Sequence, residues 1–168
     1  MITSQSSHSN KLALKPPPVG VAFLVSQVGA HAALGFADRL SALKLKPHHA
    51  GILRMLGSNP GLTQQALSEL LGIFPSQLVR LLDLLEGQQL IERRNSPHDR
   101  RSYRLHLTRN GRSLLAQIGK LTQQLEHCLF AALSDRETSL LRELLTRVVT
   151  QQQITPGVHP AYRQLGRR

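Results

Sequence analysis

The segment from Thr63 to Gly87 constrains the fold more than any other. Thr63 is a good N-cap for a short helix from Gln64 to Leu71, and Gly72 is placed to end it, since glycine enters the left-handed conformation without steric cost. Pro75 then opens a second helix that runs through Leu85 and ends near Gly87. Ser68 lies four residues before Gly72 and Leu78 six after it. That is helix-turn-helix spacing: a small side chain lets the helices cross closely, glycine takes the turn, and the later leucine locks the second helix down. The helical period puts Leu78, Leu81, Leu82 and Leu85 on the buried face, with Ser76, Arg80 and Asp83 opposite. A first turn offering Ser76, Gln77 and Arg80 suits a major groove, where base edges present acceptors to Gln and Arg. Taken alone, the segment equally describes a helical hairpin with a solvated face.

The next residues separate those readings. Residues 90–108 change period, and 90–93 and 102–107 read as two strands around an Asn95-Ser96-Pro97-His98-Asp99 turn. Between Ile91 and Arg104 the hairpin carries five arginines (Arg93, Arg94, Arg100, Arg101 and Arg104) against Glu92 and Asp99. Such a hairpin beside a recognition helix is a wing. Its arginines suit a narrow minor groove, where the negative potential is enhanced and a planar, weakly hydrated guanidinium fits better than an ammonium. Asp99 would hold the tip in one conformation. The whole chain, 168 residues with formal net charge +11, has the electrostatics of a polyanion binder.

Around this lobe (about 47–109) the pattern is helical, giving a mainly α fold with a small β-hairpin wing. Residues 1–18 form a polar arm ending at Pro16-Pro17-Pro18, with no apolar core of a secretory signal. Leu24, Val28, Ala32, Phe36, Leu40 and Leu43 fall near one stripe of a helix over about 19–45. Over 109–152, Leu114, Ile118, Leu121, Leu125, Cys128 and Ala132 step as a helix–helix seam. A further helix follows, with Ser134 and Glu137 as its capping box and Leu140, Leu141, Leu144, Leu145, Val148 and Val149 as its apolar face. Pro156-Gly157 is expected to end order, leaving 153–168 as a basic tail. No stretch reads as long and apolar enough to span a bilayer, so no membrane is expected, and the location expected is the cytoplasm.

The stretch from about Leu45 to Leu115 resembles the MarR family of winged helix-turn-helix regulators, and the flanking helices fit its order of elements across 19–152. The matching stretches are 61–73, 80–86, 90–93 and, most specifically, 99–111. The family's wing pattern of Asp, any residue and Arg falls on Asp99 and Arg101, and its Leu-Thr-x-x-Gly motif on Leu107, Thr108 and Gly111. The resemblance implies a homodimer joined by the N-terminal and C-terminal helices and a palindromic double-stranded DNA operator. It also implies a repressor released by a small, often aromatic, effector or by an oxidant. DNA contact is assigned to Ser76, Gln77, Arg80, Arg94, Asp99, Arg100 and Arg101, and the effector pocket to His31, His48 and His49. The chain departs from the family where Phe74 replaces a polar N-cap, and where Val79 and Leu84 replace polar or basic residues.

Other chemistry finds little support. Cys128, the single cysteine, stands at a seam position and reads as a small buried core residue, with no partner for a disulfide or a cysteine zinc site. The histidines show no one-turn pair for a helical metal site, so neither metal nor cofactor is expected. No phosphate loop, nucleophile elbow or His-Glu-x-x-His motif occurs, and the chain does not read as an enzyme. The alternatives are a winged-helix protein–protein module, separable by loss of all DNA binding, and a nonspecific architectural DNA binder, separable by indifference to sequence.

Overall fold

The structure, a computed structural model, describes residues 17–96, 99–159 and 162. Along the chain run α1 (Val21–Ser41), α2 (Pro47–Ser58), β1 (Leu62–Thr63), α3 (Gln64–Leu71), α4 (Pro75–Gly87), β2 (Ile91–Ser96), β3 (Asp99–Leu107), α5 (Arg109–Leu129) and α6 (Asp135–Gln151). The mainly helical fold with a small antiparallel sheet is the fold class expected.

Local chemistry explains most boundaries. The Thr63 hydroxyl accepts from the Ala66 amide at 3.1 Å at the start of α3, and Gly72 closes that helix in the left-handed region at φ 65°. Ser134 and Glu137 form the reciprocal capping box of α6. The sheet differs from the simple hairpin: it has three strands in the order β1-β3-β2, with Leu62 opposite Leu105 and Ile91 opposite Leu107. A strand of two residues has too little pattern to be seen in sequence. It exists because the Gly61 amide, set at φ +85°, donates to the Leu105 carbonyl at 3.0 Å.

The core lies where α2, α3 and α4 meet the sheet. Ile52, Leu53, Leu56, Leu67, Leu71, Leu78, Leu82, Leu85, Ile91 and Leu105 are all essentially inaccessible. Each such aliphatic side chain contributes on the order of 1.5–3 kcal/mol on burial.

The helices outside this lobe are packed differently. Of α1 only Leu40 is buried; Val21, Phe23, Leu24, Val25, Val28 and Leu34 are exposed. The stripe expected along α1 is therefore internal only at its C-terminal end, where Gly35 lets α1 approach Leu125 of α5. The sequence expectation about membrane-length segments needs correcting. By length and composition α1 is apolar enough to cross a bilayer, with 21 residues and a mean hydropathy of 1.3 over its most apolar 18. Its valines, alanines, leucines and phenylalanines raise hydropathy without forming one unbroken apolar run, since Ser26, Gln27 and His31 interrupt it. α6 buries no residue, and Leu140, Leu144, Leu145 and Val148 are exposed. Cys128 is also exposed, not a core residue, because the last turns of α5 reach beyond the lobe.

One junction ties the lobe to α5. The Thr108 hydroxyl donates to the Gln89 carbonyl at 2.6 Å and accepts from the Gly111 amide at 3.0 Å. A Cβ on Gly111 would lie 1.9 Å from the Leu90 carbonyl oxygen, a backbone atom that cannot swing aside. The glycine of the Leu-Thr-x-x-Gly motif is there for close approach. Gly111→Ala is expected to destabilise the protein by about 2 kcal/mol or more, in the range of core overpacking, seen as a lower urea midpoint at unchanged slope.

Candidate nucleic-acid interface

The turn between α3 and α4 is fixed from inside. Ser68 is buried and its hydroxyl donates to the Ile73 carbonyl at 2.6 Å, while the Gly72 and Ile73 amides both donate to the Ser68 carbonyl. The Gly72 and Ile73 amides and the Ile73 carbonyl are thereby paired, so the crossing of the two helices is determined by hydrogen bonds as well as by leucines.

α4 then presents its polar residues. Ser76, Arg80 and Asp83 are exposed and Gln77 is half-buried. Phe74, the N-cap, makes no side-chain cap bond and is 62% exposed, and Leu84 is exposed too. The outward side of α4 is thus partly apolar.

The wing's arginines divide by partner. Arg93 of β2 reaches back onto α4, where its guanidinium pairs with Asp83 at 2.6 Å and with Glu86, and its amide donates to Glu86 at 3.2 Å. Arg94 pairs with Glu92 at 2.6 Å and its side chain stays 59% exposed. Arg104, directly opposite Arg94 in the sheet, donates to the Gly61 carbonyl at 3.1 Å. The hairpin's positive excess is therefore less available than its composition suggests: Arg93 and Arg104 are structural. Asp99, Arg100 and Arg101 belong to β3 through their backbone, and their side chains lie outside the described residues.

The three histidines do not form one site. His31 is exposed on α1. His48 and His49 meet edge to face, with ring centroids 4.3 Å apart, at the start of α2. His49 is buried, and its Nδ1 accepts from the Lys46 amide at 3.2 Å, which makes it a helix-start residue. Burial, then His48 and Lys46, hold its pKa down to about 4; burial and then Lys46 lower that of His48. No group of three or more metal-ligating side chains occurs among the described residues.

A model of the MarR family matches residues 43–102, the stretch that contains the helix-turn-helix and the start of the wing. A putative transcriptional regulatory protein for the hcr operon of Thauera aromatica is 39% identical over 107 residues, 64% of each chain. The chain thus spans just under two thirds of that regulator's length. The solved structure of CouR, a transcriptional repressor bound to a 23-mer DNA duplex, is similar with a TM-score of 0.68 and 31% identity, over 77% of this chain and 92% of that one. The chain belongs to the MarR family. A mutant MarR of E. coli complexed with operator DNA, 25% identical, is likewise similar, with a TM-score of 0.65 over 77% of this chain and 93% of that one. The MarR-family chain has a helix-turn-helix followed by a wing, and the named relatives are transcriptional regulators.

Two outcomes follow from the side chains that hold the interface. Arg93→Ala should cost about 1–2 kcal/mol, since it leaves a part-buried pair with Asp83 and Glu86 unmade; a urea melt measures it. His49 is neutral in the folded protein, whereas the unfolded chain takes up its proton near 6.5. Stability is therefore full above about pH 6.5 and falls as pH drops towards about 4, where the folded form protonates as well. Denaturation midpoints at pH 7 and pH 5 should differ in that direction, and His49→Gln should narrow the gap.

Proposed function

We propose that this chain is a homodimeric, sequence-specific DNA-binding transcription regulator, a repressor that a small effector releases. The observation that carries the reading is the clamp of Arg93 onto Asp83 and Glu86, which makes α4 and the wing one rigid unit. In that unit Ser76 and Arg80 are the exposed polar residues near the start of α4, suited to base edges, with half-buried Gln77 beside them. Arg94 exchanges Glu92 for a backbone phosphate, and Arg100 and Arg101 enter the minor groove from the wing, with Asp99 steadying them. Because Phe74 and Leu84 take exposed positions on α4, shape and phosphate contacts carry more of the recognition than hydrogen bonds to bases.

The second copy is supported by the apolar surface left open on α1 and α6. α1 exposes Val21, Phe23, Leu24, Val25, Val28 and Leu34 and α6 exposes Leu140, Leu144, Leu145 and Val148, and a symmetric pair of such helices covers these side chains with their own kind. A self-complementary helical interface also accounts for the hydropathy of α1 without a lipid phase. Two lobes then face successive major grooves about 34–36 Å apart on a palindromic site, and an effector acts by shifting that spacing. Acting on DNA places the protein in the cytoplasm or nucleoid, with no catalytic role. His48 and His49, together at the start of α2, and exposed His31 on α1 are the candidates for an effector contact.

Selection of duplexes from a random pool by the wild-type protein, followed by competition anisotropy, tests this directly. A palindromic preference with steep salt dependence is expected. Arg80→Ala should weaken the selected duplex by about 1–3 kcal/mol and relax the preference at one position per half-site. Equal affinity for random and selected duplexes would overturn the reading.

A further inference from the structure

Among the described residues after α6, Gly157, Val158 and Tyr162 are held against the protein, although Pro156-Gly157 and the basic composition lead one to expect a free tail from 153 onwards. Gly157 turns at φ +74° and its carbonyl accepts from the Arg54 guanidinium on α2. Val158 packs against the core. Tyr162 is only 5% exposed, and its hydroxyl donates to the His48 carbonyl at 2.5 Å. The ring lies on Gly51, at a point in α2 where any other residue would be in the way. A Cβ there would stand 2.0 Å from the tyrosine oxygen and 2.9 Å from Cζ. Burial pushes the phenol's pKa up, so the hydroxyl keeps the proton it donates. These are the marks of a seated anchor: an aromatic ring in a glycine-made recess, one satisfied hydrogen bond, and a second fastening five residues earlier.

The two ends of this connection have different roles. α2 is part of the lobe's core, with Ile52, Leu53 and Leu56 inaccessible. α6 buries no residue of its own, and belongs to the apolar surface assigned above to the second copy. We propose that the segment anchored by Gly157, Val158 and Tyr162 is a strap that fastens the end of α6 to the DNA-binding lobe, and that its seating against Gly51 sets the lobe orientation that binds DNA. The proposal rests on the DNA-binding reading given above. Physically, the strap removes freedom between the dimerising helices and the lobe. A lobe so restrained reaches both half-sites with less ordering on binding, so releasing it weakens the complex.

Gly51→Ala and Tyr162→Ala release the strap from opposite sides. The first adds the obstructing methyl while giving α2 the better helix former; the second removes the ring and leaves α2 untouched. Hydrogen exchange of the full-length protein without DNA reports seating, and anisotropy on the duplex selected by the wild type reports function. Both variants should raise exchange of the Val158 amide, which donates to the Thr155 carbonyl in the seated segment, at least tenfold and weaken the duplex about tenfold. The double variant should bind no worse than either single one, because both undo the same latch. Tyr162→Phe, which keeps the ring and loses the bond to His48, should fall between. Wild-type exchange as fast as that of the variants would show that nothing is seated there. Rapid exchange in both variants with duplex affinity within twofold of wild type would show a seated strap without influence on DNA. Either result overturns the proposal. A wild type that binds no duplex overturns the DNA reading instead, and removes the coupling with it, while the exchange data still decide the seating.

Discussion

The reversal at Gly72 is the constraint on which the rest of the lobe depends. A glycine in the left-handed region ends α3, and the buried Ser68 hydroxyl captures the Ile73 carbonyl that the turn would otherwise strand. With that bond made, α4 leaves at one angle, Leu78, Leu82 and Leu85 enter the core, and the polar residues of α4 come to the outside. A larger residue at 68 would push the helices apart, and an unbonded carbonyl would leave the turn a choice of conformations. Recognition helices need one conformation, since a displacement of about an ångström is enough to lose a directional hydrogen bond.

The wing repeats the device with charge. Arg93 could have been one more basic residue on a basic hairpin, but Asp83 and Glu86 hold it against α4. Arg104 is held by the Gly61 carbonyl at the sheet's other edge. Arginine thus serves two purposes within a few residues, as cement towards the lobe and as charge towards solvent. Composition counts both alike, and only the contacts separate them.

Much of the fold was legible because its determinants are local. The Thr63 cap, the Ser68–Gly72–Leu78 spacing, Pro75 and the Ser134–Glu137 box each act within a turn or two, so the residues alone state them. The same holds for Ser76 and Arg80, whose exposure follows from the helical period. What sequence could not state is long-range. β1 is two residues whose partner lies about forty positions on, with no alternation of its own. Gly111 answers to the Leu90 carbonyl, and Gly51 to Tyr162, each a clash with an atom from elsewhere in the chain. The apolar periodicity of α1 and α6 was visible, but periodicity says only that a face seeks cover, not whose. Cys128, at a seam position of α5, is likewise exposed.

The open faces of α1 and α6 have a consequence for how this protein must be handled as a thermodynamic object. Its lobe has a core of its own, whereas in the dimer proposed above its outer helices reach their full hydrophobic gain only when the second copy arrives. Their melting is then a second-order affair: dilution favours loosening, and a transition temperature quoted without a protein concentration describes nothing. On the dimer proposed above, a freshly synthesised chain passes through an interval in which the exposed apolar side chains from Val21 to Leu34 lack their cover, and in that interval chaperones, bilayers and aggregates compete with the proper mate.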